Sequence, residues 1–228
     1  MNSKLSKKSI ILLSGGLDSA AVLGLCKEEY NISLALTFNY GQKTAIKEIE
    51  ASQKLCKHYD VEHKIINLDW LKEITQTALV SQEEIATSNL GTADSAKNVW
   101  VPNRNGLFLN IAAAFADSYN YNYILFGANK DEGRTFPDNT EDFRKRMTSV
   151  FEFSTLNHPI VVAPLLNYNK DDIVRMSIER SIPLEYIHSC YSSTSGIHCG
   201  KCESCLHLKR ALMHNNAESY LLKLFGEL

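Results

Sequence analysis

Ser9-Ile10-Ile11-Leu12-Leu13-Ser14-Gly15-Gly16-Leu17-Asp18-Ser19-Ala20-Ala21-Val22-Leu23 is the stretch on which the reading of the whole chain turns. Ser9 to Leu13 is a short apolar, β-branched run that stops at Ser14-Gly15-Gly16, and from Ser19 to Glu29 the residues Ala20, Val22, Leu23 and Cys26 recur at helical spacing. That is strand, tight turn, helix. Two glycines let backbone N–H groups approach a ligand closely, and the following helix points its positive end at the same place, so the turn suits a phosphate. Ser14 and Ser19 add hydroxyl donors. Asp18 is acidic for such a site, which suits it to a magnesium ion or to capping the helix. The turn has no Walker lysine and no G-x-G-x-x-G, and spacing alone also fits a glycine turn that merely joins a strand to a helix.

Outward from this stretch the alternation continues. Ile32 to Phe38 predicts a strand ending at Asn39-Tyr40-Gly41, Thr44 to Tyr59 a helix, and Val61 to Leu68 a third strand. Asp69 to Trp100 is less regular; Trp70 to Leu79 fits a helix, Ser88 to Lys97 has no clear period, and the whole is expected to be a surface insertion of the kind that forms a lid. Order returns at Val101-Pro102-Asn103-Arg104-Asn105, before a strongly apolar helix over Leu107 to Ala116. Then come a strand over Tyr123 to Gly127, a helix over Glu141 to Phe153, a strand over Ile160 to Ala163 and a helix over Lys170 to Arg180. Strands separated by helices of this length predict an α/β fold: a Rossmann-like parallel sheet with helices on both faces. The boundary is expected near Pro183 to Ile187, giving a main domain over 1–185 and a small helical, cysteine-rich unit over 186–228.

At 228 residues, 44% hydrophobic and 22% charged, the composition is that of a globular protein with one sizeable core. A formal charge of -2 argues against a direct nucleic-acid footprint, which shows as a basic domain or stripe. The apolar run after the polar, basic start Met1 to Lys8 is shorter than the roughly 7–15 residues of a signal-peptide core, and no stretch approaches the roughly 20 apolar residues of a spanning helix. A cytoplasmic protein with no membrane partner is expected.

Four of the six cysteines fall between Cys190 and Cys205, while Cys26 and Cys56 lie far away in amphipathic segments. Cys199-x-x-Cys202-x-x-Cys205 presents three sulfurs to one ion, and the eight residues before Cys199 let Cys190 fold back as the fourth. Four thiolates make a closed tetrahedral Zn(II) site, structural rather than catalytic. An iron–sulfur cluster uses the same four ligands and stays open as the alternative. His188, His198 and His207 flank the cluster without being needed as ligands.

Ser14-Gly15-Gly16-Leu17-Asp18-Ser19 directly after an N-terminal strand resembles the signature loop of the N-type ATP pyrophosphatases, which include GMP synthetase, argininosuccinate synthetase and tRNA-thiolating enzymes. The resemblance implies that Ser14 to Ser19 hold the departing pyrophosphate of ATP, bound with Mg(II), and that AMP is the other product. Four further motifs narrow it: Phe38-Asn39-Tyr40-Gly41-Gln42, Val101-Pro102-Asn103-Arg104-Asn105, Pro137-Asp138, and Cys-x8-Cys-x2-Cys-x2-Cys. In this order, from about Ile10 to Leu212, they resemble the 7-cyano-7-deazaguanine synthase family. That implies a homodimeric C–N ligase that adenylates 7-carboxy-7-deazaguanine, lets ammonia displace AMP to give the amide, and adenylates the amide so that the nitrile forms, using two ATP.

On this resemblance Asp18, Ser19, Arg104 and Lys170 are the candidate catalytic residues. The always-charged guanidinium of Arg104 suits a phosphate or carboxylate, and Lys170 would neutralise charge on the α-phosphate. A surface ion pair for Arg104 and an exposed helix-start lysine at 170 fit the same sequence. Asp138 is the candidate acceptor for the guanine-like N–H edge, with Phe136 stacking on the base and Tyr40 and Gln42 as weaker contacts. The family commonly has Tyr-Ser-Gly-Tyr-Pro-Asp-Cys where this chain has Glu132-Gly133-Arg134-Thr135-Phe136-Pro137-Asp138-Asn139. That departure leaves open a ligase that passes the same adenylate to a protein or other macromolecular amine and stops at the amide. A zinc-ribbon nucleic-acid-binding module, in which the glycine turn is incidental, is the third reading.

Overall fold

The computed structural model describes residues 8–88, 90 and 93–226. Its centre is a five-stranded sheet with strand order β3-β2-β1-β4-β5, every neighbouring pair parallel. The strands are β1 (Ser9–Leu12), β2 (Ile32–Asn39), β3 (Glu62–Asn67), β4 (Tyr123–Leu125) and β5 (Ile160–Val162). All four residues of β1 are buried, as a central strand covered on both faces requires, which is why its sequence is a continuous apolar run rather than an alternation. Ile10 sits between Leu34 and Ile124, and Ile11 between Ala35 and Leu125.

Helices α1 (Leu17–Tyr30) and α2 (Ala45–Tyr59) connect the first three strands and touch each other. After α3 (Asp69–Ile74) and α4 (Ala93–Asn98), helix α5 (Arg104–Tyr119) returns the chain to the other side of β1, and α6 (Glu141–Ser154) joins β4 to β5. The helices α1, α2 and α5 each end on a left-handed residue, Asn31, Asp60 and Asn120, types that accept this conformation at low cost. Helix α7 (Lys170–Glu179) opens with a capping box, in which Asn169 accepts from the Asp172 N–H and Asp172 accepts from the Asn169 N–H. Helices α8 (Glu203–His214) and α9 (Glu218–Phe225) close the chain.

The expected α/β class and parallel sheet are what the structure has; the differences lie in the irregular segment and at element ends. The helix expected over Trp70 to Leu79 stops at Ile74, and α4 forms where no period was legible. Nor is Asp69 to Trp100 a purely surface feature: Leu71, Ala78, Leu79, Val80 and Ile85 are buried, and the Lys43 N–H donates to the Leu79 carbonyl. Asn89, Gly91 and Thr92 of that stretch lie outside the described residues. The fourth and fifth strands are shorter than expected because pairing with β1 and with each other uses only three residues.

Strands run outward from β1 in both directions, so the loops after β1 and β4 diverge and leave a crevice at their carboxyl ends. Glycine is needed on both sides of it. Gly15 has φ +76°, and a Cβ there would lie 2.7 Å from the Glu48 carbonyl oxygen and 2.8 Å from the Ala51 Cβ. A Cβ on Gly127, after β4, would lie 2.9 Å from the Ser19 nitrogen. Gly15→Ala is therefore expected to destabilise the fold by about 1–3 kcal/mol, from strain and overpacking together, as read from urea unfolding. Unchanged stability would contradict this close approach of α2 to the loop.

Candidate active site

The crevice is a cavity of about 230 Å³, and every phosphate or substrate residue nominated from the sequence lines it except Gly15, which lies behind its wall. The first N–H groups of α1 face it without a side-chain cap, since Gly16 at the N-cap offers none. Instead the Leu17 N–H donates to Ser189 Oγ at 3.0 Å. Ser14 Oγ and Ser19 Oγ are 3.2 Å apart, and Ser19 also donates to the Gly16 carbonyl at 3.2 Å. The segment before the cysteine unit docks on this loop through the His188 N–H, which donates to the Gly15 carbonyl at 2.8 Å.

The capping box fixes Lys170 as the first residue of α7, and a further hydrogen bond from its own N–H to Asp131 Oδ2 holds that turn against the loop after β4. Lys170 Nζ then lies 2.5 Å from Asp18 Oδ2 and 3.0 Å from Glu132 Oε1. The side chains of Lys170 and Asp18 are only 11% and 17% exposed, so this pair is interior, and Glu132 closes the triad from a half-buried position at 34% exposed. Burial pushes the Asp18 carboxyl up to about 6, against the pull of Lys170. Burial acts the same way on Glu132, but there the ammonium wins and the carboxyl falls below its ordinary value. Flanked by both, Lys170 holds its proton more tightly than a free lysine, even though burial opposes this. Asp18 Oδ1, the carboxylate oxygen turned from the lysine, is buried without a hydrogen-bond partner.

On the other side of the cavity stands Arg104, first residue of α5, with Nη1 donating to Tyr40 Oη at 3.3 Å. No carboxylate pairs with it among the described residues. In the same first turn Gly106 leaves room for the Asn103 side chain, which a Cβ there would meet at 2.2 Å. Tyr40 is held in turn: its N–H donates to Gln42 Oε1, while Gln42 Nε2 donates to the Phe38 carbonyl and to Glu48. Both ends of the Gln42 amide are thus engaged by protein groups. Phe136 stacks on Trp100, centroids 5.8 Å apart and planes 14° from parallel. Asp138 accepts from Asn139, and burial raises its carboxyl while the nearby Arg104 opposes the shift. Behind Lys170 lies a side chamber of about 70 Å³ whose walls include Asp131, Glu132, Glu203 and His207.

The sulfurs of Cys190, Cys199, Cys202 and Cys205 all lie within 4.8 Å of one another, none in a disulfide. Backbone N–H groups of Ser192, Ser193 and Cys199 point at Cys190 Sγ, and those of Lys201 and Cys202 at Cys199 Sγ. Donors of this kind favour thiolates, so the cluster is built for a cation.

Sequence reasoning missed Glu132 as the second anchor of Lys170, and it missed Ser189, His188 and Trp100 in the cavity wall. Only Glu132 left a trace, as an added charge ahead of Phe136-Pro137-Asp138; the others are brought in by contacts across 36 to 173 positions.

A family model described as queuosine biosynthesis protein QueC matches residues 8–216. The 7-cyano-7-deazaguanine synthase of Methanosarcina barkeri is 44% identical, over 96% of this chain and 99% of its own length. That of Carboxydothermus hydrogenoformans is 46% identical, over 90% and 98%. Among solved structures, the U34-tRNA thiolase NcsA from Methanococcus maripaludis with its [4Fe-4S] cluster superimposes with a TM-score of 0.54 at 16% identity, over 97% of this chain and 70% of its own, a likeness of fold alone.

Lys170→Met should leave Asp18 and Glu132 side by side without a cation, at a cost of about 3–5 kcal/mol near neutral pH. Both carboxyls would then bind protons more tightly in the folded than in the unfolded chain, so stability should recover as the pH is lowered from about 7 to about 5. Urea melts at the two pH values test this; a loss that stays constant across that range would contradict the triad.

Proposed function

The chain belongs to the family of the queuosine biosynthesis protein QueC, and on that premise we propose that it converts 7-carboxy-7-deazaguanine, ammonia and ATP into 7-cyano-7-deazaguanine. The observation that carries this reading is the meeting, in one cavity, of an open helix N-terminus, a buried lysine, an arginine without a carboxylate partner, and an aromatic ring beside a carboxylate. Ser14, Gly15, Gly16, Leu17 and Ser19 take the β- and γ-phosphates. Arg104 and Lys170 draw charge at the α-phosphate, where the substrate carboxylate attacks and pyrophosphate leaves. Ammonia attacks the acyl carbon and expels AMP, giving the amide. The amide oxygen attacks a second ATP, and loss of that AMP leaves the C≡N bond. Phe136, Asp138 and Tyr40 hold the base through its face and N–H edge, with Gln42 supporting Tyr40 from behind.

The unpartnered Asp18 Oδ1 fits a hard cation, so Asp18 is the residue that would meet the Mg(II) carried by ATP, an ion that neutralises phosphate charge. Tetrahedral Zn–S bonds of about 2.3 Å put sulfurs about 3.8 Å apart, the separation of Cys199 and Cys205. A four-iron cluster spreads its thiolates further because each binds a different iron. Zinc is accordingly the structural ion of this reading. Ammonia is the amine of this reading, supported by the small size of the side chamber beside Lys170 and by the carboxylates Asp131, Glu132 and Glu203 among its walls, which suit ammonium better than a macromolecule. The reading extends to a homodimer in the cytoplasm. No described helix is long and apolar enough to cross a membrane.

Incubated with 7-carboxy-7-deazaguanine, ATP and ammonium, the protein should release AMP and pyrophosphate and yield the nitrile by mass. An amide as sole end product would move the assignment to an amide ligase, and RNA or DNA binding without ATP turnover to a nucleic-acid module. Asp18→Ala should abolish AMP release in a folded protein; retained turnover would refute the placement of the phosphates. Metal analysis of the purified chain is expected to give zinc, lost in Cys202→Ser, whereas iron with visible absorption would overturn the zinc assignment.

A further inference from the structure

We propose that Ser189 is a phosphate-binding residue, its hydroxyl reaching from the cysteine unit to the phosphates held at the start of α1; this rests on the placement of ATP given above. Ser189 Oγ accepts the N–H of Leu17 at 3.0 Å, the first N–H of α1 and one of the donors that an anion at this end would use. Because the oxygen serves as acceptor there, the hydroxyl proton is left to donate elsewhere, and among the described residues nothing accepts it. The loop's own hydroxyls are less free, since Ser14 and Ser19 face each other and Ser19 is directed at the Gly16 carbonyl. Ser189 lines the cavity beside Gly16, where a Cβ would rest in ordinary contact with Ser189 Oγ at 3.5 Å.

Its position is over-determined. The Ser189 N–H donates to His198 Nε2 at 2.9 Å, and His198 Nδ1 donates to the Leu224 carbonyl at 3.0 Å, which fixes the imidazole as the neutral Nδ1–H tautomer. On its other side the His188 N–H is bonded to Gly15. Cys190 follows immediately, so an ion held by the four cysteines would anchor the backbone that carries this hydroxyl. The cysteine unit thereby supplies one wall of the phosphate site in addition to closing the fold. A hydroxyl donating to a phosphate oxygen is a charge-assisted hydrogen bond, stronger than one between neutral groups.

The test is calorimetric titration of the metal-loaded protein with MgATP, inorganic pyrophosphate and AMP. Ser189→Ala should weaken MgATP and pyrophosphate by about tenfold or more, leave AMP unchanged, and keep the wild-type metal content. Ser189→Thr, which retains the hydroxyl, should restore most of the affinity, and Ser189→Gly replaces the alanine variant if the latter loses its metal. Wild-type affinity for pyrophosphate in a variant without the hydroxyl overturns the proposal, as does an equal loss for AMP, which would mark a general change of shape. A wild-type protein that binds neither MgATP nor pyrophosphate would instead remove the premise, a result distinguishable from both.

Discussion

Lys170 between Asp18 and Glu132 is the contact on which the site's construction depends. It joins the first turn of α1, the loop after β4 and the first turn of α7, three segments brought together only at the carboxyl ends of the two central strands. Two carboxylates and one ammonium leave a net negative, largely buried triad, an arrangement that contributes little to stability by itself, because desolvation offsets much of the Coulombic attraction. What it secures is geometry. The lysine cannot swing out to solvent without leaving the buried Asp18 and the half-buried Glu132 carboxylates unpaired, so a cation stands beside the open end of α1.

The balance of charges in the triad also makes Asp18 compatible with the phosphate site proposed above. An acidic residue there would repel a triphosphate, but one oxygen is neutralised by Lys170 and the other is left unpartnered, suited to the cation that accompanies the nucleotide. Arg104 faces this from the opposite wall, where among the described residues a tyrosine hydroxyl accepts from it and no carboxylate pairs with it. The aromatic pair of Trp100 and Phe136 and the carboxylate of Asp138 occupy the remaining side. That division supports the proposed placement of phosphate chemistry at one end and of a flat, hydrogen-bonding heterocycle at the other.

Much of this was legible in the sequence because local rules carry it. The buried run Ser9 to Leu13, the glycine turn and the small residues of α1 specify strand, loop and helix with little help from the rest of the chain. The helix starting at Lys170 follows from its capping residues, and the cysteine spacing specifies a cation site. Illegible were the features made by distant contacts. Glu132 shows only as an added charge, and its role depends on Lys170, 38 positions away. Ser189 looks like any serine before a cysteine until the fold sets it against Leu17, 172 positions back. Helix α4 carries no apolar period, and the segment before it is held by isolated buried residues such as Leu79 and Ile85 rather than by a repeating face.

The central claim is that a substrate carboxylate is activated at the α-phosphate of ATP in this cavity, and the fate of the carboxylate oxygens tests it most directly. With 7-carboxy-7-deazaguanine labelled with oxygen-18 in both carboxylate positions, the account predicts that one labelled oxygen passes to AMP in each of two adenylations, leaving pyrophosphate unlabelled. Label in pyrophosphate or inorganic phosphate, or a nitrile formed with unlabelled AMP, would contradict it.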